Sequence, residues 1–417
     1  MDHALPLGCS RRSPQAPVRA ADVRAEPLHA LTALRFVAAA YVLLFHFDAF
    51  YFHDYRKIDA ILMGYSGVTF FFLLSGFVLA HSYAQVDLGD RRVLSRFWRA
   101  RIARIVPVYL VSLAISLPFL LSWAAKSAEP LRELLLSGIV LAPLGLHAWV
   151  PGAACSLNCP TWSISTELFF YVLFPLLLPV VLRRPLAATL ATLALWCGTA
   201  AAAMAVWLAY GEGGSLIDPA GTGPVLAAQF VKFFPLLRLP EFIAGLLLYV
   251  LWQRVTIPIF WLVAAMAVAM ALLSLLLPLL PEPIAHNGLT VLFWAPLVLL
   301  GAAIRRGPLV SRPFVVLGRI SFEVYLLHTP VYAAINGLDR VILGGAGAAD
   351  WPWLTATTAT LATLALSAVV HLYYSDPLRR AILKGRVAPS APPARTRDDR
   401  PSLYDMIRFG TVRNRLP

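Results

Sequence analysis

Charge is what this sequence lacks most: only 14% of its 417 residues are Asp, Glu, Lys or Arg, against roughly 25% in a soluble domain. That shortage excludes an ordinary water-soluble globule, because too little polar surface is available to clothe a core of this size. Cysteine is also sparse, at four residues, Cys9, Cys155, Cys159 and Cys197. No CxxC spacing and no disulfide framework can be built from them. Cys155 and Cys159 bracket a short loop and can pair in an oxidising compartment; otherwise they are two free thiols near a membrane surface. The run Leu5–Cys9 resembles a lipoprotein cleavage site, but no apolar segment precedes it, so it is rejected as a signal. No internal repeat is visible by inspection.

What the sequence has instead is apolar residues, 59% of the chain, with a mean hydropathy of +0.71. They gather into ten spans near 31–51, 66–84, 105–124, 162–182, 186–209, 235–252, 257–278, 288–304, 314–335 and 353–374. Several approach the roughly 20 residues needed to cross a hydrocarbon core. The stretch 131–150 is ambiguous, being either an eleventh crossing or a re-entrant or interfacial segment broken around Pro143 and Gly145. Charge decides between them. With ten crossings, one face holds only Arg56, Lys57, Lys126, Arg132, Lys232 and Arg340, while Arg35, Arg238 and Arg319 lie inside spans. The rest of the 35 Lys and Arg residues fall on the other face. An eleventh crossing would place Arg183, Arg184, Arg305 and Arg306 outside, against the positive-inside rule. The expectation is therefore an all-α polytopic membrane protein of about ten transmembrane helices, with 131–150 re-entrant or interfacial and both termini cytoplasmic. Residues 1–30 form a polar lead, 31–376 the membrane domain and 377–417 a basic tail expected to be disordered. The formal charge of +13 then reports orientation, and no nucleic-acid partner is expected.

Ionisable residues at membrane depth cost roughly 2.5–3.5 kcal/mol each on insertion scales and tend to mark function. Here they include Arg35 and His46 in the first span, Glu167 in the fourth, Arg238 and Glu241 around the sixth, and Arg319, Glu323 and His328 in the ninth. His46 lies eleven residues beyond Arg35, about 16 Å further out along a helix. Counting from the ends of their spans puts His46, Glu167, Glu241 and His328 at similar depth near the external face. An imidazole whose tautomer is held by a carboxylate is a good base toward a hydroxyl. Local pairing that stabilises helix packing is the alternative for each of them. On the cytoplasmic side, Arg101 and Arg104 are one helical turn apart on one face, a geometry suited to bidentate binding of phosphate. His46, Asp48, His53 and Asp54 are close in sequence but match no ligand pattern, so no metal is expected.

Five stretches resemble the acyltransferase-3 family of integral membrane O-acyltransferases. They are Leu31–His46, with a basic residue, a ten-residue spacer and a histidine; Gly64–Phe77; the Arg101/Arg104 pair; Pro160–Tyr171, with Trp162, Ser163 and Glu167; and Leu317–His328. They occur in family order, and Arg238–Phe242 is similar to the family's sixth-helix segment. Thr69 stands where many members carry Asp, and Asp376-Pro377 where Glu-Pro is usual. The resemblance implies a bacterial inner-membrane acyltransferase, with no bound cofactor, that takes an acyl group, by default acetyl, from cytoplasmic acyl-CoA. The acceptor is implied to be a hydroxyl of a periplasmic or lipid-linked glycan, since members O-acylate surface polysaccharides, periplasmic glucans and some secondary metabolites. It points to His46 as general base or nucleophile with Glu167 as its partner, to Arg35, Arg101 and Arg104 as donor ligands, and to Glu241, His328, Trp162 and Ser163 as acceptor-side candidates. Direct transfer and a covalent intermediate both remain open. The alternative from a different class is a proton-coupled transporter or flippase of a polysaccharide or lipid pathway, where buried His and Glu form a proton relay.

Overall fold

The structure is a computed structural model that describes residues 27–51, 63–129, 131–211 and 223–384. The ends of the chain and the loop carrying His53 and Asp54 lie outside the described residues, as does the tail beyond Lys384. Ten long helices carry the fold: α1 (His29–Tyr51), α2 (Gly67–Tyr83), α3 (Arg91–Ala124), α4 (Trp162–Arg183), α5 (Pro185–Tyr210), α6 (Pro235–Arg254), α7 (Ile259–Leu276), α8 (Val291–Ala303), α9 (Arg312–Leu343) and α10 (Pro352–Val370). Each belongs to a stretch long and apolar enough to cross a membrane, and no strand occurs among the described residues. The all-α polytopic expectation holds.

Three helices run beyond their expected spans, α9 among them, which continues to Leu343. α3 begins at Arg91 because Asp90, in extended backbone, caps it by accepting from the Arg92 amide at 2.7 Å. The basic stretch up to Arg104 is therefore helical and continuous with the apolar part. α10 continues through a π turn, His371–Ser375, into the short helix Asp376–Lys384.

Helices alternate in direction, so α1 and α9 run parallel, as do α2 and α6. Small residues allow the closest approaches. A Cβ on Gly318 of α9 would collide with the Thr32 carbonyl of α1, and a Cβ on Gly245 of α6 would lie 3.1 Å from the Gly76 Cα of α2. Without a hydrophobic drive between helices in lipid, such close backbone packing supplies much of the association energy. Around it Phe70, Phe77, Phe170 and Phe242 are fully buried, with Phe170 and Phe242 stacked at 4.8 Å.

Residues 131–161 do not cross. The helix Leu131–Leu141 has 11 residues, about 16 Å at helical rise and half of a hydrocarbon core. The chain then turns, with Gly145 and Gly152 at φ +69° and +96°, where a side chain would be strained. Cys155 and Cys159 are joined as a disulfide. This segment is sunk into the bundle rather than laid over it. The Tyr109 hydroxyl donates to the Ala142 carbonyl, the Gly152 amide to Gln229 at 3.0 Å, and the Asn158 amide to the Leu326 carbonyl at 2.8 Å.

Candidate active site

Polar side chains gather at several loci among the described residues of the bundle. The first is a cavity of about 300 Å³. Pro27 and Leu28 at the start of α1, with His81 and Ser82 at the end of α2, line its mouth at the end of the bundle where Arg91, Arg92, Arg96 and Arg99 begin α3. Further in, its wall carries Arg35, Arg101, Arg104, Ser75, Glu167 and Tyr171. Three guanidiniums drawn from two helices thus face one carboxylate, a net cationic pocket. The Glu167 carboxylate accepts from Ser75 Oγ at 3.2 Å and from the Tyr171 hydroxyl, and Arg101 lies over the Tyr171 ring at 5.8 Å. Arg101 Nε is buried without a hydrogen-bond partner, leaving a donor for a ligand. The deep end is lined by Val68, Phe71, Phe72, Ile164, Ser163 and Tyr325.

The second locus is a histidine pair. His46 Nδ1 of α1 lies 2.9 Å from the Val42 carbonyl and 3.2 Å from His328 Nε2 of α9. His328 Nδ1 lies 2.8 Å from the Tyr325 carbonyl and 3.3 Å from that of Val324. Carbonyls only accept, so both Nδ1 atoms carry the proton when the rings are neutral. His328 Nε2 is then an acceptor for His46 Nδ1–H, and His46 Nε2 keeps a lone pair with no partner among the described residues. That is the arrangement of a base whose tautomer is fixed from behind and whose imidazolium would be steadied by a second imidazole.

The third locus surrounds Glu241 of α6, which is buried and ion-paired with Arg238 at 2.9 Å. Arg238 also donates to the carbonyls of Lys232 and His286 and lies 5.5 Å over the Trp162 ring. Thr69 Oγ1 sits 3.5 Å from the same carboxylate.

The structure therefore brings together Arg35, Arg101 and Arg104 as grouped from sequence, and His46 with His328. It separates others. Glu167 does not reach His46: it lines the arginine cavity, and backbone carbonyls rather than a carboxylate hold the histidine tautomers. The reason is the sunken 131–161 segment, which starts α4 inside the bundle. Tyr325 bonds Pro160 and Ser163 across the antiparallel helices at 3.0 and 2.8 Å, so Glu167 lies one further turn toward the cavity mouth. Ser163 accordingly faces the deep end of that cavity, Trp162 packs on Arg238, and Glu241 is neutralised by its own neighbour. Of the four acceptor-side candidates, only His328 touches His46.

Sequence reasoning missed Tyr171, four residues after Glu167 and legible as an i,i+4 partner. It also missed the cluster in which Glu323 accepts from His371 Nδ1 at 2.8 Å and Ser375 Oγ at 2.6 Å. Nothing in the spacing announces that contact, because it depends on the π turn. Outside the spans, His147 donates from Nε2 to Thr161 Oγ1 at 3.2 Å, while its Nδ1 is buried and unpartnered. Burial holds this imidazole down at about 4.

A bundle of ten long apolar helices with a cationic cavity at one end and a buried histidine pair beyond it defines a multi-pass membrane protein. The chain belongs to the acyltransferase-3 family, whose acyltransferase domain matches residues 28–372. It is similar to "Acyltransferase MdmB" of Streptomyces mycarofaciens, at 29% identity over 90% of this chain and 97% of that protein. It is also similar to "Protein 2 in picA locus" of Rhizobium radiobacter, at 28% identity over 33% of this chain and 75% of that protein. No solved structure matches the chain.

Proposed function

We propose that this acyltransferase moves an acyl group, by default acetyl, from acyl-CoA to a hydroxyl of a periplasmic or lipid-linked glycan. The basic end faces the cytoplasm of a bacterial cell and admits the donor; the acceptor approaches from the other side. The observation that carries the reading is the cavity in which Arg35, Arg101 and Arg104 converge and whose deep end lies beside the histidine pair. Paired guanidiniums bind phosphates bidentately, and a CoA thioester brings phosphates at one end and a reactive carbonyl at the other. The cavity has room for the narrow arm and acyl group, while the nucleotide stays at the basic mouth.

His46 Nε2 removes the proton from the acceptor hydroxyl as its oxygen attacks the thioester carbonyl. The C–S bond then breaks, and the leaving CoA thiolate takes that proton back from the His46 imidazolium. His328 accepts from His46 Nδ1 throughout and steadies the imidazolium. Glu167 belongs to the donor side, where it orders the arginines through Tyr171 and Ser75.

The test uses purified protein in proteoliposomes with labelled acetyl-CoA and an oligosaccharide acceptor. His46→Ala is expected to lower transfer by about 10²–10⁴-fold, the range for loss of a general base, at unchanged protein level. Retention of more than about a tenth of wild-type transfer removes His46 from that role.

A further inference from the structure

We propose that Asn158 is a positioning residue for the histidine pair: its side-chain amide supplies the hydrogen bond that Pro330 removes from α9, and so fixes the turn of helix that carries His328. The inference rests on the base reading of His46 and His328 given above and adds to it a residue that acts through the backbone of α9.

Pro330 lies inside α9. Proline has no amide hydrogen and its ring crowds the carbonyl four residues back, so a helix is left open and prone to bend there. In α9 that carbonyl belongs to Leu326, and the open turn from Leu326 to Pro330 has His328 at its middle. Leu326 is fully buried. A buried carbonyl without a donor is costly anywhere, and most of all at membrane depth. Asn158 meets the need: its Nδ2 donates to the Leu326 carbonyl at 2.8 Å, from a residue that is itself only 2% exposed. Asn158 Oδ1 is buried with no partner among the described residues. Burying that oxygen opposes folding, so the side chain earns its place through its donor.

The donor is held from behind. The Asn158 carbonyl accepts from the Thr161 amide at 2.9 Å and from Thr161 Oγ1 at 2.6 Å, and the Cys155–Cys159 disulfide closes the loop around it. Two residues on, the Pro160 carbonyl accepts from the Tyr325 hydroxyl at 3.0 Å. The loop therefore grips α9 at Tyr325 through the side chain and at Leu326 through the backbone. His328 Nδ1 donates to the carbonyls of Tyr325 and Val324. The turn that the loop grips is thus the one that aims His328 Nε2 at His46, and slack in it would open the 3.2 Å contact between the imidazoles.

The first test needs no substrate. It is hydrogen exchange of the α9 peptide spanning His328, measured on the purified protein in detergent. Asn158→Leu, close in volume but without a donor, should speed that exchange at least about fivefold, the lower end of what an unsatisfied buried carbonyl costs. Pro330→Ala returns an amide hydrogen to the Leu326 carbonyl. In that background, loss of Asn158 should change exchange by less than about twofold, because both substitutions act on one carbonyl. Asn158→Ala serves in both backgrounds where the leucine variant does not accumulate. Unchanged exchange in the folded Asn158 variant, or additive effects of the two substitutions, overturns the proposal.

The second test is kinetic. Asn158→Leu should lower kcat at least about threefold with KM for acyl-CoA unchanged. It should add less than about twofold to the loss already caused by His328→Ala. An unchanged kcat, or full additivity with His328→Ala, overturns the positioning role. If loss of Asn158 speeds exchange around His328 while His46→Ala retains more than about a tenth of wild-type transfer, the base reading falls and the hydrogen-bond role of Asn158 stands.

Discussion

His46 and His328 lie 282 positions apart in the chain and meet at 3.2 Å, Nδ1 to Nε2, across the parallel helices α1 and α9. Each has its Nδ1 proton committed to a backbone carbonyl of its own helix. The pair is therefore directional: the free lone pair belongs to His46, and the supporting acceptor to His328.

That direction separates the two residues experimentally. His328→Ala leaves the Val42 carbonyl to hold the His46 tautomer and removes only the group that steadies the imidazolium. We expect kcat to fall roughly tenfold, well short of the 10²–10⁴-fold attached to the base itself. Steady-state kinetics of both variants side by side check this. Equal damage from His328→Ala and His46→Ala would transfer the base role or divide it.

Glu167→Gln should act on the donor and leave the base alone. The amide still accepts from Ser75 and Tyr171 but no longer offsets the charge of the guanidiniums that line the same cavity. The expected outcome is a several-fold change in KM for acyl-CoA with kcat at saturating donor little altered. A drop of about a hundredfold in kcat at saturation would instead restore Glu167 as the partner of His46.

The double variant Arg101→Lys/Arg104→Lys keeps the charge and removes the planar fork. KM for acyl-CoA should rise by about tenfold, the worth of one charge-assisted hydrogen bond, with acceptor dependence unchanged. Lysine orients membrane helices as well as arginine does. An unaltered donor KM would therefore reduce these residues to topology signals.

His147 makes stability depend on pH. Its imidazole is held neutral by burial, at about 4 in the folded protein against about 6.5 when unfolded. Between those values the unfolded chain binds more protons than the folded one, so stability is complete above about 6.5 and is lost as pH falls toward 4. Thermal unfolding in detergent should show Tm falling from pH 7 to pH 5. His147→Gln, which can still donate to Thr161 but does not titrate, should show less of that fall. Parallel pH curves for the two proteins would exclude His147 as the cause.

The ten helices were readable because crossing a bilayer demands about 20 apolar residues and leaves the basic loops on one side. The grouping of Arg35 with Arg101 and Arg104 was readable for a related reason. All three stand near the same end of their helices, and depth along one helix follows from its 1.5 Å rise. The neutralisation of Glu241 was also within reach, since Arg238 precedes it by three residues, one helical turn.

The partner of Glu167 was not. Depth was counted from an α4 entry assumed to lie at the membrane surface, whereas residues 131–161 fold into the bundle and start that helix opposite Tyr325. For the same reason Ser163 turned out to face the arginine-lined cavity. Tyr325 itself read as one aromatic among many, and His371 met Glu323 only through a π turn. Sequence by itself determined which segments are helices and how far along each helix a charge sits. The vertical offset and rotation of one helix against another came from tertiary packing, where Gly318 meets the Thr32 backbone and Gly76 meets Gly245. Those contacts decided which charges share a cavity, because the period of a single helix carries no information about the register of its neighbour.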